Sequence, residues 1–504
     1  MLNLLKQFSL FTIVLLNSLD ISAQDFITRW ELPVNSSYLG FNLERDSGGV
    51  NYTWVTIPAG ISGAGNFPAG DGLVQLPNIP AGATVRLKLA PENLRRFYYV
   101  LQNEGLMDVE AWGSANWSSM EFAFYDCPNL QISATDIPNL SNVTSLAGMF
   151  DRCTNLNGPS NINSWNTQNV TNMAYTFSNT SSFNQPLLNW NTSSVTNMSG
   201  MFANSSFNQP IGNWITNNVT SFHHMFDMNI FFNQNINSWN TSNLISTNGM
   251  FSYATAFNQP IGSWNTSNVT NMFSMFIHAS SFNQDLSNWN TSNVQNMEHM
   301  FHDAFSFNQD INSWDVSGVD NMYSMFLNAY NFNQSLSNWD LNDVYEIRYM
   351  LSHTGLDCDN YSSTLVGWSQ NPNIASNQSF ILYEVDGLEY SQVAAGYRDI
   401  LINSKGWDFV GDVLGGSNCT ASISENNSTE TILYPNPVKE MLNVESGNQI
   451  NELIITDALG KVLLHSRPSS TETKVNLADL TVGYYFVKLV FDNAEVEIGK
   501  IYKN

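Results

Sequence analysis

Eight tryptophans, Trp165, Trp190, Trp214, Trp239, Trp264, Trp289, Trp314 and Trp339, are 25 residues apart at every step but one, which is 24. A period in this range points to a solenoid, whose units are too small to bury an apolar face except against their neighbours. The unit beginning at Trp264 shows the pattern. Val269, Met272, Met275, Phe276, Ala279 and Phe282 come next with spacings of 3, 3, 1, 3 and 3, which places six side chains on one helical face. Asn265-Thr266-Ser267-Asn268 just upstream supplies side-chain oxygens to cap the start of a helix, and the stretch from Asn283 to Trp289 reads as extended. The expectation is an α/β repeat solenoid with a strand and a short helix per coil, flanked by small all-β domains at both ends. Strands stack at about 4.8 Å and helices at roughly 8–10 Å, so such an array bends with its strands inward.

Phe-Asn-Gln recurs once per unit from Phe183 to Phe332. Asn184, Asn208, Asn233, Asn258, Asn283, Asn308 and Asn333 then form either an internal ladder satisfying backbone groups at a corner of each coil, or an exposed row of amides for a polar ligand. The tryptophan row divides in the same way. One bulky residue per coil suits a solenoid core, and a row of exposed indoles suits stacking of sugar rings.

The charge balance narrows the partners. Formal net charge is −25, and between Arg152 and Arg348 there is no Lys or Arg but about ten acids. Nucleic acid is excluded, because its binders need cations to displace phosphate counterions. Anionic membrane surfaces and anionic substrates are disfavoured on the same ground. Residues 1–23 read as a secretory signal peptide: Lys6 supplies a positive charge, a short apolar run comes after it, and Ile21-Ser22-Ala23 precedes the cleavage point. No later stretch is long and apolar enough for a transmembrane segment. Of the four cysteines of this exported chain, Cys127 and Cys153 occupy the same repeat position, on the helical side. Neighbouring coils there are too far apart to bridge, so two buried thiols are expected. Cys358 and Cys419 flank a separate segment after the array and are the expected disulfide.

The unit Pro260-Ile-Gly-Ser-Trp-Asn-Thr-Ser-Asn-Val-Thr-Asn-Met-Phe-Ser-Met-Phe276 resembles the 25-residue repeats of BspA-like leucine-rich-repeat bacterial surface proteins, and the match runs from about Trp112 to Leu356. That resemblance implies adhesion or ligand binding at the cell surface. Thr431-Ile-Leu-Tyr-Pro-Asn-Pro-Val438, with Leu442-Asn-Val444, Gly460-Lys-Val462 and Leu480–Lys488, resembles the C-terminal sorting domain of bacterial type IX secretion. It implies transport by that machinery, a secreted or surface-attached product, and a small β-sandwich with a turn at Asn436-Pro437. Val50–Ile57 and Ala83–Leu89 read as strands of an N-terminal module, whose placement is similar to polycystic-kidney-disease-type domains although the Asp-Trp-Gly-Asp-Gly signature is missing.

The chain therefore divides into the signal peptide (1–23), an N-terminal β-sandwich-like domain (24–105), the solenoid (106–356), its C-terminal cap (357–414), a linker (415–430) and the sorting domain (431–504). In the cap, Asn360–Trp368 and Ala394–Trp407 read as helices around a strand at Phe380–Tyr383, and Asp357 stands where the next Phe is due.

Chemistry is sparse. His278, His299 and His302 fall in adjacent units beside Glu298 and Asp303, and His299 and His302 at i, i+3 on one helix could hold a metal. They match no zinc-enzyme motif and lie on a solvated face, as does the pair His223-His224, so no metal or other cofactor is expected. No nucleophile elbow, phosphate loop or dinucleotide fingerprint occurs, and acid pairs such as Asp310 and Asp315 stand at freely varying repeat positions. No catalytic residue is expected. The expectation is a binding protein for an unknown protein or neutral glycan, held on the curved strand face, with a structural spacer or matrix component as the alternative.

Overall fold

The computed structural model describes residues 24–504 except 59, 100–103, 375–379, 417–418, 420–431, 435–437, 458–460, 493–495 and 504. The signal-peptide segment, most of the expected linker and the Asn436-Pro437 turn lie outside the described residues. The chain forms two compact units, one ending at Ser422 and one beginning at Ile423.

The first unit opens with β1 (Phe26–Glu31), β2 (Leu39–Arg45), β3 (Val50–Ile57), β4 (Ser62–Phe67), β5 (Gly70–Leu76), β6 (Thr84–Leu89), β7 (Leu94–Tyr98) and β8 (Leu106–Ala111). Alternation sets which face is inward: Phe26, Thr28 and Trp30 of β1 are buried and the residues between them are not. Two sheets result, β4-β3-β6-β1-β8 and β5-β2-β7. They share a core in which Trp30 stacks on Phe41 at 5.8 Å and Phe26 meets Phe97 edge-on at 5.3 Å. The short β9 (Gln131–Ile132) extends the first sheet by pairing parallel with β8. It belongs to the first coils, so the sheet runs straight into the array.

The array corrects the expected α/β solenoid. No coil contains an α-helix, the array holding only the 3-10 turn Ile162–Ser164, and after β9 no coil contributes a strand at the extended stretch; neighbouring coils share a single parallel bridge, such as Asn271 to Asn296. After that bridge the chain enters a run of overlapping turns. Two residues in each coil, four apart, adopt left-handed backbone: Gly249 and Tyr253, Ser274 and His278, His299 and Asp303, with φ between 54° and 60° in the first pair and 53° to 56° in the others. An α-helix cannot pass through such residues. Instead, alternate N–H groups turn out of the coil. Met272, Ser274, Phe276 and His278 donate to the carbonyls of Asn296, Glu298, Met300 and His302 in the next coil at 2.8–3.0 Å, while Met275 and Ala279 close three-residue turns onto Met272 and Phe276. The spacing of three that suggested a helix is the spacing of these turns. Both put every third side chain inside.

Inside, equivalent rings stack. From Phe124 through Phe150, Phe177, Phe202, Phe226, Phe251, Phe276 and Phe301 to Phe326 the centroid step is 5.5–5.9 Å. Along the indoles it is 6.2–6.5 Å. The phenylalanine row beside the stacked turns is thus the tighter of the two, and no helix stands on that side to hold neighbouring coils apart. Phe97 of β7 stands 5.7 Å from Phe124, so the N-terminal sandwich supplies the first ring of the row.

At the other end Leu356 is buried in the phenylalanine position, after a step of 24 from Phe332, so Asp357 is not the displaced core residue but takes the asparagine position. Its main-chain N–H donates to Asn333 Oδ1 (2.9 Å), and its own Oδ1 accepts from the Asn360 N–H (2.9 Å) as the N-cap of α1 (Cys358–Gln370). α2 (Gln392–Lys405) packs on α1, with β10 (Ile381–Leu382) paired to β12 (Asp408–Phe409) and β11 (Glu389–Tyr390) to β13 (Val413–Leu414). The cap is pinned by Asp412, whose buried carboxylate accepts from Arg398 (2.6 and 2.7 Å) and Tyr361 (3.0 Å). Cys358 and Cys419 are disulfide-bonded with Cα atoms 5.4 Å apart, so the packed cap reaches into the segment read as linker. Sandwich, array and cap share one continuous core from Phe26 to Phe409.

The second unit comprises β14 (Ile432–Tyr434), β15 (Met441–Thr456), β16 (Val462–Ser466), β17 (Ser470–Asn476), β18 (Gly483–Phe491) and β19 (Val496–Lys503). All pairings between these strands are antiparallel, in the order β14-β15-β18-β19 with β16 and β17 also on β15. Its core, which includes Leu442, Val444, Ile455, Val487 and Ile501, is its own.

Candidate functional site: the outward face of the stacked turns

Most polar groups that repeat are consumed within the array. All eight tryptophans of the row are at most 4% exposed. From Trp190 onward each indole N–H donates to a carbonyl of the preceding coil, for example Trp264 to Ile236 (3.2 Å) and Trp289 to Ile261 (3.1 Å). No ring face of this row is open to a sugar. The asparagines pass one bond from coil to coil: Asn208 Oδ1 accepts the N–H of Asn233, Asn233 that of Asn258, Asn258 that of Asn283 and Asn283 that of Asn308, at 2.9–3.0 Å. The same chain starts at Asn184 and ends at Asn333. Gln259 and Gln284 donate to the same oxygens. Buried threonines such as Thr241 and Thr266 bond the carbonyls of Asn265 and Asn290. Cys127 and Cys153 are free and fully buried, and burial pushes both thiols far above their usual range.

The surface left for other molecules is the outward face of the turns. One column, the first left-handed position of each coil, reads Phe122, Gly148, Tyr175, Gly200, His224, Gly249, Ser274, His299, Ser324, Tyr349. No two large side chains are consecutive. A Cβ on Gly148, Gly200 or Gly249 would collide with the ring of Phe122, Tyr175 or His224 from the coil before, so each of these rings lies down over a glycine. Large residues at this position need a small neighbour.

The three histidines do come together, with a geometry unlike the expected solvated helix face. His299 and His302 are only 22% and 19% exposed. Their Nδ1 atoms are 3.1 Å apart, one donating and the other accepting. His278 Nδ1 is 3.0 Å from Asp303 Oδ2, and Tyr253 stacks on the His278 ring at 4.2 Å. Burial holds His302 down at about 4, aided by the neighbouring His299 and His278 and opposed by Asp303; burial also lowers His299. The pair His299–His302 is therefore uncharged near neutrality. Among the described residues no three His, Cys, Asp or Glu side chains converge as a metal site would require.

Beside the cluster runs a file of rings that the sequence pattern did not bring out. Phe273 meets His299 (6.2 Å), His299 meets Tyr323 (5.2 Å), Tyr323 meets Tyr349 (5.8 Å), and Tyr349 stacks on Tyr383 of the cap (5.4 Å). All five are partly exposed. Phe273 and Tyr323 come from one repeat column, His299 and Tyr349 from the next, in alternate coils. The available signal was that two adjacent columns, which carry rings only in alternate coils up to Gly249, carry one in every coil from Phe273 to Tyr349. Arg348 lies over Tyr323 at 5.7 Å with its guanidinium bonded to Glu346.

Three copies of the family described as "Mycoplasma protein of unknown function, DUF285" match residues 118–228, 189–279 and 258–364. A family described as "Secretion system C-terminal sorting domain" matches residues 432–504 and indicates secretion and attachment to the cell surface, with handling by type IX secretion machinery. The leucine-rich-repeat assignment finds no such support. No curated protein and no solved structure matches the chain. No helix among the described residues is long and apolar enough to cross a membrane.

Proposed function

We propose that this chain, carrying DUF285 repeat domains followed by a secretion sorting domain, is a surface recognition protein that binds a protein or neutral glycan along the outward face of its stacked turns. One observation carries this reading. Inward positions are nearly constant from coil to coil, whereas the outward columns vary and carry a ring in every coil from Phe273 to Tyr349, which a uniform spacer does not need. The resemblance to BspA-like surface proteins supports adhesion by analogy. Binding rather than catalysis suits a face with no nucleophile paired to a base.

The test uses the full chain from Gln24 to Asn504, labelled and titrated onto matrix proteins, whole cells and a glycan array. Saturable binding competed by unlabelled protein supports recognition. Absence of saturable binding on every surface leaves the spacer reading.

A further inference from the structure

We infer that the ring file Phe273–His299–Tyr323–Tyr349–Tyr383 is the binding site for an extended, unbranched, uncharged polysaccharide that lies along the array axis. This rests on the recognition reading and assigns its ligand class.

Three observations converge on it. First, the file is one ring wide and continuous across four coils and the cap, with steps of 5.2–6.2 Å; its first three contacts are edge-on at 81–89°, so face and edge alternate along it, and Tyr349 stacks on Tyr383 at 29°. That step is close to the length of one sugar ring in an extended chain, so a polymer can repeat its contacts in register with the coils. Aromatic side chains suit this because they offer large, rigid area at low entropic cost, and the C–H faces of a pyranose are apolar. A protein partner would be better served by a broad patch with a buried centre.

Second, groups able to bond hydroxyls flank the rings. The Glu298 carboxylate accepts from Asn321 Nδ2 at 2.9 Å, and both side chains are half-buried, which leaves acceptor capacity beside the file. Third, the electrostatics refuse an anionic polymer. There is no Lys or Arg between Arg152 and Arg348, and the Arg348 guanidinium is already bonded by Glu346. Burial keeps His299 and His302 neutral. Carboxylated or sulfated chains therefore meet repulsion without compensation.

Affinity electrophoresis of the full chain tests this, in gels containing hydroxyethylcellulose, glucomannan or dextran as neutral polymers and alginate as the charged one. Expected is retardation by at least one neutral polymer and none by alginate. Tyr323→Ala and Tyr349→Ala should each weaken that retardation by roughly three- to tenfold at unchanged melting temperature. Tyr323→Trp should retain it, as should Tyr330→Ala, which removes an exposed ring away from the file. The inference is overturned by three results: no retardation in any neutral gel, retardation by alginate alone, or full retardation of both alanine variants. Saturable binding to a protein surface with no glycan retardation would sink this assignment while leaving recognition standing.

Discussion

Asn258 shows how one side chain serves two coils. Its Oδ1 accepts the Asn283 N–H at 3.0 Å and the Gln284 amide at 2.9 Å. Both partners are donors, so Asn258→Asp should be tolerated, whereas Asn258→Ala strands two N–H groups and should cost about 1–3 kcal/mol. Urea titration of the pair checks this; equal stability of the two variants would contradict the ladder. Trp264→Phe should cost about 1 kcal/mol for the lost bond, because the Ile236 carbonyl keeps the Trp239 N–H as its other donor. Sequence alone could not decide between core and exposed indoles, since one tryptophan per coil fits both. The deciding fact is the carbonyl that each indole N–H from Trp190 onward meets, and that partner comes from the preceding coil. His302 adds a pH dependence of definite sign. Its folded value of about 4 lies below the ordinary 6.5, so the unfolded chain binds the proton more readily. The His302 contribution to stability should be flat above about pH 6.5 and fall as pH drops toward 4. His302→Gln should shrink that fall in melting-temperature scans.

At the scale of the coil, period and repeat unit were legible but the local conformation was not. Spacings of three serve a helix and a chain of turns alike over so short a run, and apolar periodicity says only which side chains point inward. The difference lies in backbone sign. The second left-handed column holds Asp126, Asn179, Asn204, His278, Asp303, Asn328 and His353, types that tolerate positive φ, beside Arg152, Met228 and Tyr253, and glycine recurs in the first column. Those two columns were the signal against a helix. They also make the coils unequal. Deleting one coil, Asn191–Trp214, would set Tyr175 against His224, two rings in succession. Deleting two, Asn191–Trp239, would set Tyr175 against Gly249. The longer deletion should therefore melt higher than the shorter one, a reversal of the order that interchangeable repeats would give. Gly200→Ala combines a left-handed strain with collision against Tyr175 and should cost about 1–2 kcal/mol or more in the same melts.

For the whole molecule, the boundary at residue 105 marks a change of pattern and not a break in packing. Phe97 and Phe124 belong to one ring row, and β1 pairs with β8 across that point. A chain starting at residue 106 should consequently aggregate or melt well below the chain starting at Gln24, by light scattering and calorimetry. Sequence reading failed there because composition changes at the first coil while the core does not. The sorting domain was legible for the opposite reason, since it is a self-contained unit with its own motif. The parallel indoles carry a last consequence. Trp214, Trp239 and Trp264 lie 6.4–6.5 Å apart and within 4° of parallel, so their excited states must couple. The folded array should announce itself by an exciton signature in near-ultraviolet dichroism and by depolarised emission, both vanishing when the coils separate.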